Sequence, residues 1–128
     1  MPTGSPSGES GIERMAGLRI LILEDEPIIA MAIEDALQDA GVDPVIASTL
    51  ERADALIAEA AFDAAVLDVN IHGRQSYGLA ARLLESGVPF VFASGYGGST
   101  HPPEFADIPT VGKPYEIAAI AEALSLKM

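Results

Sequence analysis

Four places in this chain bring a charge or a hydroxyl to the end of an apolar run. Leu18 to Leu23 runs straight into Glu24, Asp25 and Glu26. Ala64-Ala65-Val66-Leu67 stops at Asp68, with Asn70 two residues on. Phe90-Val91-Phe92-Ala93 stops at Ser94, and Ile108 to Val111 gives way near Lys113. One such residue says little, because caps and turns favour Asp, Asn and Ser. Four together, one of them a cation, make a reacting centre if the fold gathers them. Crowded carboxylates repel, so they hold a proton or bind a cation. Oxygen donors with a backbone carbonyl suit Mg²⁺ or Mn²⁺ and not zinc. A Lys adds a point charge for a phosphate oxygen, and a Ser hydroxyl can donate to another. These parts match phosphoryl transfer, where positioning and charge neutralisation dominate. A carboxylate nucleophile would give an aspartyl phosphate, and Asp68 is best placed to be it.

The elements that must hold these residues can be read from periodicity. Leu18 to Leu23, broken only by Arg19, suits a strand buried on both faces. Pro27 fits the first turn of a helix whose apolar face is Ile29, Ala32, Ile33, Ala36, Leu37 and Ala40, closed by Gly41. Val45-Ile46-Ala47 predicts a second strand. Ser48 or Thr49 can cap the next helix, with Ala53, Leu56, Ile57 and Ala60 on its face. A polar loop runs from Asp68 to about Ser76. The helix after it carries Ala80, Leu83 and Leu84 and ends at Gly87. Gly95 to Pro103, with its glycines and Pro-Pro pair, forms helix poorly, so a fourth helix is short or mobile. Ile108 to Val111 predicts the fifth strand. The last helix buries Ile117, Ile120, Ala121 and Leu124. Strand and helix thus alternate, which predicts an α/β domain with a parallel sheet between helices. In such sheets ligands sit at the carboxyl ends of the strands, where the polar residues above fall.

Composition narrows the function. The chain has 128 residues, the length of one domain. Residues 1–16, rich in Gly, Ser, Pro and Thr, read as a flexible tail, and 17–128 as the domain. The net charge of -12 disfavours nucleic acid and anionic membranes as partners. The absence of cysteine excludes disulfides and thiol chemistry and fits a cytoplasmic protein. No apolar run is long enough to span a bilayer. With aromatics at 5 %, the core is expected to be Ala, Leu, Ile and Val.

The stretches Leu21-Ile22-Leu23-Glu24-Asp25-Glu26-Pro27, Val66-Leu67-Asp68, Phe92-Ala93-Ser94-Gly95 and Lys113-Pro114-Tyr115 resemble the receiver domains of bacterial two-component response regulators, in the family's order. The resemblance covers roughly residues 17–127. It implies a flavodoxin-like, doubly wound sheet in the order 2-1-3-4-5. It implies Asp68 as phosphoacceptor, Asp25 as direct Mg²⁺ ligand, Glu24 acting through water, and the Asn70 backbone carbonyl as a further ligand. Lys113 would pair with the phosphoryl group, and Ser94 would be the hydroxyl that swings toward it. Lys113-Pro114 would be a cis peptide. The donor would be a histidine kinase or a histidine phosphotransfer protein.

Three positions depart from the pattern. Thr110 stands where receivers usually carry a switch aromatic, His72 stands where they usually carry proline, and the fourth helix is broken by Gly and Pro. Phe92-Ala93-Ser94-Gly95-Tyr96 is similar to the Phe-Ala-Thr-Gly-hydrophobic-Tyr signature of an alphaproteobacterial receiver subfamily, although Gly97 replaces its last aromatic. Many members of that group stand alone, which implies output through a downstream protein or by draining phosphate from a shared kinase. The chain is expected to be a phosphoacceptor and not an enzyme. A non-phosphorylated scaffold is the alternative. An aspartate-nucleophile phosphatase would want a second acid where Asn70 stands. A flavin-binding relative would want a neutral phosphate loop where Glu24-Asp25-Glu26 stands. His72 and His101 read as surface loop residues, although one could lie near the site, because the loop after Asp68 borders it.

Overall fold

A computed structural model describes residues 12–95, 101–113 and 116–125 of the chain. Its strands are β1 (Arg19–Leu23), β2 (Asp43–Ala47), β3 (Ala64–Asp68), β4 (Phe90–Ser94) and β5 (Thr110–Gly112). Its helices are α1 (Pro27–Asp39), α2 (Leu50–Glu59), α3 (Tyr77–Ser86) and α4 (Ile117–Ser125). The five strands form one sheet in the order β2-β1-β3-β4-β5, and each pairing is parallel. The alternating pattern implies the parallel sheet, and the receiver resemblance implies this doubly wound order.

Local chemistry explains the boundaries. Pro27 opens α1 at a position where its missing N–H would have had no partner within the helix. Thr49, rather than Ser48, caps α2, its hydroxyl accepting from the Arg52 N–H at 3.0 Å. α3 stops at Gly87, whose φ of 74° lets the Val88 N–H turn back to the Leu83 carbonyl at 3.0 Å.

Alternation along the strands sorts the core into two layers. Ile20, Ile22, Val66, Val91 and Val111 face Ile33, Leu37, Ile120 and Leu124 of α1 and α4. Leu21, Leu23, Leu67, Phe90 and Phe92 face Leu56, Leu79 and Leu83 of α2 and α3. The few aromatics are not spread thinly. Phe90, Phe92 and Phe105 are fully buried and meet Tyr77 in one cluster on the second face. The expected all-aliphatic core therefore describes only the first layer.

Several boundaries move. β5 begins at Thr110 and not Ile108, although the Ile108 side chain packs in the core. The polar loop after Asp68 contains a small antiparallel ribbon, Asn70–Ile71 against Arg74–Gln75. Leu84 and Ala32, counted on apolar faces, are exposed, because the buried stripes run through Leu79, Ala80 and Leu83 and through Ala30, Ile33 and Leu37. Residues 1–11 lie outside the described residues, but Ile12 and Met15, assigned to the tail, pack against the first layer. Between β4 and β5 the described residues hold a single 3-10 turn, Pro103–Phe105, while residues 96–100 of the broken stretch, and with them the expected short or mobile helix, lie outside the described residues.

Candidate functional site

Register brings the polar residues together. Leu23 pairs with Leu67, so the next residues, Glu24 and Asp68, are level on neighbouring strands. Asp68 pairs with Ala93, which carries Ser94 one step beyond it. Ser94 pairs with Gly112, which puts Lys113 one step further at the same edge. The Val69 N–H reaches the Ala93 carbonyl at 3.1 Å and the Lys113 N–H reaches the Ser94 carbonyl at 3.2 Å, so the ladder continues into the site. Asp25, Glu26, Asp68, Asn70, Ser94 and Lys113 line a cleft of about 620 Å³ there.

Lys113 ties the carboxylates together. Its Nζ donates to Asp68 Oδ2 at 2.7 Å and lies 3.1 Å from Glu24 Oε1 and 3.5 Å from Glu26 Oε1. Glu24 is 1 % exposed and Asp68 is 4 % exposed, so these are buried charges that need their partner. Burial pushes the Asp68 carboxyl above its ordinary range, and the Lys113 ammonium works against that shift. Burial also opposes the charge on Lys113, but hydrogen bonds to Asp68 and Glu24 outweigh it and hold the ammonium above its usual range. Contact stabilises the charges of the pair and desolvation disfavours them.

The donor set fits a hard divalent cation. Oxygens of Glu24, Asp25 and Asp68 lie within 4.8 Å of one another. All are carboxylates, and a single Lys offsets less charge than they carry. The Asn70 N–H donates to Asp68 Oδ1 at 3.3 Å, which brings the Asn70 peptide beside the Asp68 carboxylate. The Glu26 N–H donates to Glu24 Oε2 at 3.0 Å and orients that group.

Sequence reasoning missed how two residues support the site and how a third is held. Ser76, taken as the end of a loop, is fully buried, and its hydroxyl donates to the Asp68 backbone carbonyl at 2.8 Å. His72 lines the cleft, and its N–H donates to Asp25 Oδ2 at 2.9 Å. His101 is half-buried rather than a free surface loop residue. Its ring packs on Phe92 with centroids 4.4 Å apart, and its two nitrogens meet the hydroxyls of Tyr77 and Thr110. Only the position of Ser76, just before an apolar helical face, marked it as more than loop. Tyr96, Pro114 and the proposed cis bond lie outside the described residues.

No family model and no curated protein matches the chain. Solved structures do. SdrG from Sphingomonas melonis Fr1 is 38 % identical, with a TM-score of 0.76 over 86 % of this chain and 95 % of that one. The REC domain of the Erythrobacter litoralis PhyR response regulator is 24 % identical, with a TM-score of 0.69 over 89 % and 92 % of the two chains. Response regulator TrrA from Thermotoga maritima, in complex with Mg²⁺ and BeF, is 19 % identical and shares the fold, with a TM-score of 0.75 over 87 % and 99 %. With its doubly wound sheet and the acidic cluster at the carboxyl edge, the chain belongs to the response regulator receiver domains of two-component signalling. Among the described residues no helix is long and apolar enough to cross a membrane.

Proposed function

We propose that the chain is a phosphoaccepting switch, with Asp68 as acceptor and Mg²⁺ (or Mn²⁺) held by Asp25, Asp68, the Asn70 carbonyl and, through water, Glu24. The observation that carries this reading is the 2.7 Å contact between Lys113 Nζ and Asp68 Oδ2 beside two further carboxylates at one sheet edge. A carboxylate oxygen of Asp68 attacks a phosphoryl group delivered as phosphohistidine. A P–O bond forms, the P–N bond breaks, and the imidazole leaves with a proton. Lys113 then moves its charge from the carboxylate to the phosphoryl oxygens, and Ser94, one register step away, donates to another. Bound cation would neutralise the charge of the acceptor and of the phosphoryl group.

The chain assists this transfer but turns over no substrate of its own, so it is a phosphoacceptor and not an enzyme. Its donor is a histidine kinase or a histidine phosphotransfer protein in the cytoplasm. Thr110, opposite Phe92 in the sheet, takes the switch position. Output runs through a protein partner or by draining phosphate from a shared kinase.

The test is intact-protein mass after incubation with acetyl phosphate and Mg²⁺. One phosphoryl group is gained by the wild type and none by Asp68→Asn or in chelator. A wild type that binds Mg²⁺ and beryllofluoride yet takes no phosphoryl group from any donor would favour the scaffold reading.

A further inference from the structure

The two loops that carry the acidic residues are joined by one contact that phosphoryl transfer does not require. The backbone N–H of His72 donates to Asp25 Oδ2 at 2.9 Å, across 47 residues of chain. The imidazole adds little. Its Nδ1 is 3.7 Å from the same oxygen and its side chain is 61 % exposed, so the ion pair is weak. The functional group here is the peptide N–H.

Its direction is set by the fold. His72 has a φ of 51° and Gly73 a φ of 81°. Successive positive values belong to the tight turn that joins twisted antiparallel strands. That turn closes the ribbon of Asn70–Ile71 against Arg74–Gln75. Ile71 is 1 % exposed in the second core layer, and the Ser76 N–H returns to the Val69 carbonyl at 2.9 Å. The ribbon is therefore anchored at both of its ends, and its tip points one donor at Asp25. A proline at residue 72 could neither donate this hydrogen nor take a positive φ.

We propose that His72 is a positioning residue of the cation site. Its N–H holds Asp25 in one orientation toward Glu24 and Asp68, and the ribbon and the acidic loop order each other. This rests on the reading of Asp25 as a metal ligand. Hydrogen bonds of this outer kind tune metal affinity by fixing the ligand before the ion arrives.

Calorimetric titration with Mg²⁺ alone tests the proposal. His72→Pro binds Mg²⁺ roughly tenfold or more weakly than the wild type. His72→Gly, which keeps the N–H and the turn, restores the affinity. Because proline can disturb the ribbon, the bond is also read from its other side in metal-free protein. Exchange of the His72 amide hydrogen becomes roughly tenfold faster in Asp25→Ala, the loss expected for a charge-assisted bond. It returns toward the wild-type rate in Asp25→Asn, whose side-chain oxygen still accepts. Wild-type affinity in His72→Pro, or an unchanged His72 exchange rate in folded Asp25→Ala, overturns the proposal alone. Failure of the wild type to bind Mg²⁺, or full affinity in Asp25→Ala, overturns the metal reading beneath it.

Discussion

The imidazole of His101 meets the hydroxyl of Thr110, with Nε2 2.7 Å from Oγ1. Its Nδ1 is 2.8 Å from the Tyr77 hydroxyl, so one ring bridges the start of α3 and the start of β5. The ring also packs on Phe92 of β4. Thr110 is small where receivers usually carry an aromatic, and the neighbouring volume is filled instead by a side chain from the β4–β5 connection. Both hydroxyls rotate, so a neutral ring satisfies the bridge in either tautomer.

Removing the ring leaves two hydroxyls without their partner and a gap over Phe92. His101→Ala is expected to lower stability by about 2 kcal/mol, the scale of lost hydrogen bonds plus a small cavity. Urea denaturation of the variant and the wild type measures it. A change within error would mean that the bridge is replaced by water at no cost.

The same ring makes stability depend on pH. Burial pushes the His101 pKa below its ordinary value. The unfolded chain then takes up a proton at a pH where the folded chain does not. The contribution is fully present above the ordinary histidine value of about 6.5 and is lost as pH falls from there through the folded value. Unfolding free energies between pH 8 and pH 5 should fall more steeply for the wild type than for His101→Asn. Parallel curves would show that the ring titrates as in the unfolded chain.

Lys113 neutralises buried carboxylates, so its loss is costlier than a surface lysine's. Lys113→Met leaves Glu24 and Asp68 without their cation and is expected to cost about 3 kcal/mol. Saturating Mg²⁺ should recover part of that loss, because the ion binds only the folded chain. Thermal melts with and without Mg²⁺ decide the matter. The raised pKa of Lys113 means that its contribution holds through neutral pH and disappears only as pH rises through the folded value.

Asp68 shows the opposite balance. Burial raises its pKa, so ionising it works against the fold, and stability from this group declines as pH rises from the ordinary Asp range through the folded value. Asp68→Asn should therefore melt at neutral pH no lower than the wild type while losing phosphorylation. A clear fall in its melting temperature would show that the Lys113 contact outweighs the burial.

Ser76 fastens Asp68 from behind. Ser76→Ala removes the buried donor to the Asp68 carbonyl and should cost about 1–2 kcal/mol. Loss of stability without loss of Mg²⁺ affinity is the expected pair of results, read by denaturation and calorimetry on the same samples.

The motifs' resemblance to receiver domains supplied the order of the sheet, and the sequence by itself determined the strands and, in outline, the buried faces of the helices. These follow from period and from end signals that act over a few residues: Leu18 to Leu23 reads as a buried strand, and Gly87 as a helix stop, whatever lies elsewhere. It also marked Glu24, Asp25, Asp68, Ser94 and Lys113, because a polar residue that ends an apolar strand in a parallel sheet must lie at its carboxyl edge. The roles of His72, Ser76 and His101 were decided only by tertiary structure. His72 works through its backbone N–H, which every residue but proline carries, so its identity said nothing about the bond. Ser76 acts on a carbonyl eight residues away through a turn that no local pattern announced. His101 lies in a Gly- and Pro-rich segment that reads as solvent-facing, yet it is drawn inward because the small side chain at Thr110 leaves space beside Phe92 and offers a hydroxyl to bond. Such pairings depend on what the fold brings opposite, and a residue's near neighbours in sequence do not carry that information.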